Sequence, residues 1–132
     1  MKISIKRAYQ DAAPDDGYRA LVDRVWPRGR SRASLALAVW AKDLAPSTEL
    51  RQWFGHDPQR WETFRDRYRK ELASPEQRAR LRLLLDAAGK GPLTLVYGAK
   101  DEEHNQARVI AEKLERRLSG PRPRPGAGVP GR

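Results

Sequence analysis

The residues of this chain best suited to chemistry are two histidines, a few aspartates, and arginines and lysines gathered where apolar runs end. His56 lies in Trp53-Phe54-Gly55-His56-Asp57 and His104 in Lys100-Asp101-Glu102-Glu103-His104-Asn105. Either ring titrates near neutral pH and can take or give a proton, with Asp57 or Asp101 as the carboxylate that orients it. Asp23 is a third group able to move protons. It stands beside Arg24 at the end of an apolar stretch and just ahead of Trp26-Pro27-Arg28-Gly29. A large aromatic and an arginine on a proline-stiffened turn can stack on a ring and fork to a phosphate or carboxylate. Lys42, Asp43, Ser47 and Arg51 form a second polar stretch, and Tyr97, Lys100, Asp101 and Asn105 a third. In the third, the small-residue turn Gly98-Ala99 precedes a helix start, where free backbone N–H groups and the helix dipole favour an anion. Taken together these residues describe a site for a nucleotide or another phosphorylated or carboxylated small ligand. Asp23, His56 and His104 would be the acid–base groups of any hydrolysis or transfer, and the remainder the ligand-binding lining.

Each residue also has a plain structural use. Asp101 is expected to cap the last helix, with Glu102 and Glu103 complementing its dipole, and Ser47 to cap an earlier one. Trp26 fits a core position, and Asp43, Arg51 and the Asp23–Arg24 pair could be ion pairs that hold loops. The spacing of the histidines matches no metal motif, so no metal is expected. No phosphate loop, dinucleotide fingerprint or Gly-x-Ser-x-Gly elbow occurs, and no cofactor is expected. The chain contains no cysteine, which excludes disulfides, thiolate metal sites and cysteine nucleophiles.

Twenty-seven Lys and Arg against seventeen Asp and Glu give a net charge of +10. Such a surface attracts acidic partners at long range. An anionic small molecule is the first expectation. A nucleic acid, bound along a basic surface with Trp26 as a stacking platform, is the alternative. A structural or interaction protein is the third reading. No stretch approaches the ~18 apolar residues of a membrane span, so no membrane partner is expected and the cytoplasm is the expected location. Oligomeric state is not written in these features.

The elements that must position these side chains alternate between strand and helix. Ile3 and Ile5 mark a first strand, Tyr18 to Val25 a second, and Leu93 to Tyr97 a buried one. Leu35 to Ala41 fits strand or helix by its apolar run, and its length and the following Pro46 favour a strand. Ser47, Asp57-Pro58 and Ser74-Pro75-Glu76-Gln77 start helices whose apolar faces carry Leu50 and Phe54, then Phe64, Tyr68 and Leu72, then Leu81, Leu84 and Leu85. A last helix carries Ala107, Ile110, Ala111, Leu114 and Leu118. The pattern predicts an α/β fold: a small, mostly parallel sheet of about four strands with flanking helices in a single domain over 1–119. The short loop after the first strand suggests that the first two strands pair antiparallel. Residues 120–132, rich in Pro, Gly and Arg, read as a disordered tail.

Three separated motifs carry a resemblance. They are Leu21-Val22-Asp23-Arg24-Val25-Trp26-Pro27-Arg28-Gly29, then Trp40-Ala41-Lys42-Asp43-Leu44-Ala45-Pro46-Ser47 with Leu50-Arg51-Gln52-Trp53-Phe54-Gly55-His56, then Leu95-Val96-Tyr97-Gly98-Ala99-Lys100-Asp101 through His104-Asn105-Gln106-Ala107. In that order they resemble the YeaO-like proteins, a bacterial family of small domains of unknown function. The resemblance covers about residues 1–119. It implies no catalytic residues to carry over. Longer relatives of that family place a cysteine and a Cys-His-Arg element near the last strand, where this chain has Tyr97 and His104-Asn105, so thiol chemistry does not transfer.

Overall fold

In the computed structural model, which describes residues 1–119, all strand pairings are parallel. The strands are β1 (Ile3–Arg7), β2 (Tyr18–Leu21), β3 (Val39–Trp40) and β4 (Leu93–Tyr97), in the spatial order β1-β4-β2-β3. Five helices accompany them: α1 (Arg32–Leu35), α2 (Thr48–Phe54), α3 (Trp61–Leu72), α4 (Pro75–Ala88) and α5 (Gln106–Ser119). One four-stranded parallel sheet with these helices makes a single α/β domain, as the alternation of elements predicts. The tail expected at 120–132 lies outside the described residues.

β4 is central and fully buried, which explains its unbroken apolar run Leu93-Thr-Leu-Val-Tyr97. It pairs with β1 from Ile3↔Leu93 to Arg7↔Tyr97 and with β2 from Tyr18↔Leu93 to Leu21↔Val96. The first two strands are therefore not an antiparallel pair: β4 lies between them, and both run parallel to it. Their connection needs no helix, only the 3-10 turn Pro14–Asp16 and Gly17. Gly17 has φ +68°, and a Cβ there would fall 2.2 Å from the Pro92 carbonyl oxygen, so this close crossing requires glycine.

Side chains alternate between two cores. On one face Ala20, Val22, Leu93, Leu95 and Tyr97 pack with Leu50, Phe54, Phe64, Tyr68, Leu72, Leu81, Leu84, Ile110 and Leu114 from α2 to α5. The other face holds a smaller cluster, Ala8, Leu21, Leu35 and Val96, with Trp26, Leu37 and Trp40 against it. Tyr68 anchors the larger core by donating its buried hydroxyl to the Leu44 carbonyl.

Three local expectations are corrected. The stretch 35–41 is not one strand. Ser31 and Ser34 cap each other's backbone at the start of α1, Ala36 ends that turn in the left-handed region at φ 47°, and only Val39–Trp40 pair with β2. β2 ends at Leu21 rather than Val25. The Val22 N–H still reaches the Val96 carbonyl at 2.9 Å, so Asp23 and Arg24 sit just past the strand. α5 starts at Gln106, and its cap is Asn105, whose Oδ1 accepts from the Arg108 N–H at 3.1 Å. Asp101 instead closes a turn before the helix, accepting from the N–H groups of Glu103 and His104 at 2.9 and 3.0 Å. The other helix starts follow the sequence. Ser47 Oγ accepts from the Leu50 N–H at 3.2 Å and Ser74 Oγ from the Gln77 N–H at 3.3 Å. Asp57 caps the 3-10 turn Pro58–Arg60 that runs into α3.

Candidate functional site

Past the carboxyl ends of β2 and β4, where open α/β sheets place their ligands, the chain leaves a cleft of about 230 Å³. Asp23 and Arg24 enter it from the end of β2, and Gly98 and Ala99 from the end of β4. Arg51 and Phe54 come from α2, His56 from the turn after it, Phe64 from α3, and His104 and Gln106 from the start of α5. Five residues proposed from the sequence, Asp23, Arg24, Arg51, His56 and His104, thus share one cavity although they lie far apart in the chain.

Asp23 sits at its head. The Gly98 N–H donates to Asp23 Oδ2 at 2.8 Å, and Gln106 Nε2 donates to Oδ1. The Asp23 carbonyl meanwhile accepts from the Trp40 indole at 2.8 Å, fixing the backbone from the other side of the sheet. A Cβ at Gly98 would lie 2.9 Å from Asp23 Oδ2, so any side chain there would press on the carboxylate. Burial pushes the Asp23 carboxyl up to about 6, against the lowering effect of the Gly98 and Gln106 hydrogen bonds and of the Arg51 charge.

The cations around it form no close ion pair. None of the ion pairs among the described residues includes Arg24, Arg51 or Asp23. Arg24 Nη2 makes only long contacts, 3.5 Å, to the Ala45 and Pro46 carbonyls, and its Nε is buried with no partner. The expected Asp23–Arg24 ion pair is therefore not formed, and Asp43 and Arg51 line different cavities. His104 is oriented by Asp101, with Nδ1 and Oδ2 2.8 Å apart, and the His104 bond first, then the Glu103 N–H, holds the Asp101 carboxyl below its ordinary value. The His104 ring packs edge-on against Trp61 with centroids 5.3 Å apart. His56 is exposed at φ 58°, just after Gly55 ends α2.

The other proposed residues lie elsewhere. Trp26 is on the opposite face of the sheet, edge-on to Trp40 at 5.3 Å, with its indole donating to the Arg30 carbonyl. Arg28 is exposed, and its carbonyl accepts from the Tyr9 hydroxyl at 2.9 Å. Lys42 and Asp43 line a separate groove beside Leu83 and Leu84, with the Lys42 ammonium 5.2 Å from the Trp40 ring. Ser47 is held by Glu71, donating its hydroxyl to Oε2 at 2.6 Å and its N–H to Oε1 at 2.9 Å. Tyr97 is buried in the core, where desolvation raises its phenol above the ordinary value. Lys100 is exposed, Asp101 stands behind His104, and Asn105 is the buried cap of α5.

Sequence reasoning singled out the Gly98-Ala99 turn but missed Gln106, Phe54 and Phe64 as lining. Gln106 looked like an ordinary first-turn residue. Its only sign was its place inside the third motif, because nothing local indicates that it reaches the end of a strand 83 residues away in sequence. Among the described residues no group of three or more His, Cys, Asp or Glu could hold a metal ion, and no helix is long and apolar enough to cross a membrane.

Comparison with known proteins places the chain in a lineage. The chain is 48% identical over 114 residues to the uncharacterized protein YeaO of Escherichia coli, an alignment covering 86% of this chain and 97% of that protein. It is 39% identical over 116 residues to the uncharacterized protein Rv3073c of Mycobacterium tuberculosis, covering 88% and 96%. No solved structure gives a significant match. A family model described as the inactive DUF488-N3 subclade matches residues 2–126. All three motifs fall inside that span, and the chain belongs to this YeaO-like family, the inactive DUF488-N3 subclade.

Proposed function

We propose that the cleft at the ends of β2 and β4 binds a small phosphorylated or carboxylated metabolite. The observation that carries this is a pair of arginines, Arg24 and Arg51, lining one cavity with no carboxylate of the described residues paired to either. Arg24 is half-buried, with its Nε unpartnered, and a half-buried guanidinium without a counterion is costly unless a ligand supplies one; Arg51 is exposed at the cleft, and the planar fork of each suits an oxyanion. The cavity is smaller than the ~300–1,000 Å³ typical of drug-sized ligands, which favours a small acid over a nucleotide. The family's description as inactive favours binding over turnover. Any hydrolysis would depend on water activated by His104, with Asp101 orienting the ring.

Binding along a nucleic acid has less support. The Trp26 ring lies under Arg32 at 5.8 Å and the Trp53 ring under Arg60 and Arg67 at 5.2 and 4.8 Å, so these indoles already carry the protein's own cations.

The test is thermal denaturation of the full chain against phosphate, acetate, succinate and nucleoside monophosphates. Stabilisation by one or more small acids, reduced in Arg24→Ala and Arg51→Ala but not in the remote Arg28→Ala, is the expected result. Equal stabilisation of all four proteins, or of none, would refute the assignment.

A further inference from the structure

Resting on that anion-binding reading, we infer that the cleft selects a zwitterion: Arg24 and Arg51 take a carboxylate or phosphate, and Asp23 takes an ammonium or other N–H donor of the same ligand. The arginines alone would accept any small anion. Asp23 is what restricts the choice.

Asp23 lines the cleft and has no cationic partner within 4 Å among the described residues. Its hydrogen bonds from the Gly98 N–H and the Gln106 amide come from neutral groups. An ionised carboxylate offers about four acceptor positions, so about two remain. Both donors reward the ionised form, and with its carboxyl pushed up to about 6, Asp23 is charged at neutral pH. A plain anion seated on the arginines would meet this negative charge in a small, partly desolvated space, whereas a ligand carrying its own cation would be held at both ends.

Every charged or titratable group around the cavity has a place in this account. Arg24 and Arg51 are positive, His56 is exposed at the rim, and His104 is bonded to Asp101. Asp23 is thus the cleft-lining carboxylate, acted on by the Arg51 charge but in no ion pair within 4 Å among the described residues. Phe54 and Phe64, stacked with centroids 4.2 Å apart, supply an apolar wall for the carbon skeleton of the ligand.

The experiment is calorimetric titration of the full chain at pH 7.5 with matched probes. These are ω-amino acids from glycine to 5-aminopentanoate against carboxylates of the same carbon number, phenylalanine against 3-phenylpropionate, and phosphoethanolamine against ethyl phosphate. At least one zwitterion is expected to bind about 10–100-fold more tightly than its plain anion, the range for a charge-assisted hydrogen bond. Asp23→Asn should abolish that advantage, weakening the zwitterion and, with the repelling charge removed, tightening the plain anion. Gly98→Ala, which drives a methyl against Asp23 without changing charge, should reduce it. In the unaltered protein the advantage should shrink as pH falls below about 6, which needs no variant to fold.

Equal binding of zwitterion and anion, or an advantage that survives in folded Asp23→Asn, overturns the selection while leaving the anion site standing. Absence of binding by every probe overturns both. Binding of plain anions that depends on Arg24 and Arg51 separates the first failure from the second.

Discussion

Two aspartates at opposite ends of β2 show how differently this fold treats a carboxylate taken partly or wholly out of water. Asp16 lies beneath β1 and β2, salt-bridged to Lys6 at 3.1 Å and to Arg19 at 2.7 Å, and accepts from the Ala13 N–H at 2.9 Å. Desolvation pushes its carboxyl up, but the Ala13, Lys6 and Arg19 bonds outweigh this and hold it below the ordinary value. Its backbone carbonyl also accepts from the buried Thr94 hydroxyl at 2.7 Å, tying the turn to β4. Asp23, past the opposite end of β2, meets neutral donors and unpaired arginines, and its carboxyl rises to about 6. One carboxylate has been given every partner it needs; the other has been left short in a cavity. On the proposed reading, that difference separates a charge kept for the fold from one kept for a ligand.

Removing Asp16 should give the largest effect. Arg19 is nearly fully buried, its Nε donates to the Leu35 carbonyl at 2.9 Å, and its Nη2 already lacks a partner. Asp16→Ala would leave that guanidinium without a counterion, a change expected to cost about 3–5 kcal/mol. Urea denaturation at pH 7 measures it. A loss below about 1 kcal/mol would mean that the ion cluster is no more structural than the cleft, and the contrast would fail.

Asp23→Asn should move stability the other way. Because folding raises the Asp23 carboxyl from 3.8 to about 6, the folded state holds that proton more tightly than the unfolded chain. The stabilisation is therefore complete below 3.8 and lost as pH rises through about 6. At pH 7–8 the ionised carboxylate is a net cost of at most about 3 kcal/mol. An asparagine keeps the acceptor for Gly98 and can donate to a flipped Gln106, so the variant should match or exceed the unaltered protein by about 1–2 kcal/mol at pH 8 and lose that advantage at pH 5. Asp16, with its lowered carboxyl, contributes stability that is present above 3.8 and lost only at more acid pH. Melting temperatures of the two proteins between pH 4 and 8 separate the two windows. A pH-independent difference would show that Asp23 is already satisfied.

This contrast was only partly legible in the sequence. The parallel sheet, the helix starts at Ser47, Asp57-Pro58 and Ser74-Pro75, and the apolar faces follow from local pattern, and all appear in the fold. What local pattern cannot give is which strand lies in the middle. Placing β4 between β1 and β2 is a long-range choice, and it is that choice which brings Gly98 and Gln106 to Asp23. Lys6, Asp16 and Arg19 drew no attention for the same reason: in sequence they are a strand residue, a loop acid and another strand residue. Trp26 and Arg28, conspicuous as a motif, come after the chain has left the cleft: the Trp26 ring packs in the smaller core, and the Arg28 carbonyl accepts from the Tyr9 hydroxyl.

The smallest effect should come from the helix start that carries the rim of the cleft. Asn105 is buried, caps α5 through the Arg108 N–H, and donates Nδ2 to the Asp101 carbonyl at 2.9 Å. Asp101 closes only an exposed turn and contacts His104. Asn105→Ala should cost about 1 kcal/mol, and Asp101→Ala less than about 0.5 kcal/mol. In ligand titrations the order should differ, because Asn105 holds the whole segment that presents His104 and Gln106, whereas Asp101 fixes only the His104 ring. Asp101→Ala should therefore leave anion affinity within about twofold while releasing the His104 ring from its Asp101 contact, followed by its ring proton resonances. If Asp101→Ala instead weakened binding as much as Arg24→Ala, the rim acid would belong to the binding site itself, and the unpaired character of Asp23 would no longer suffice to define it.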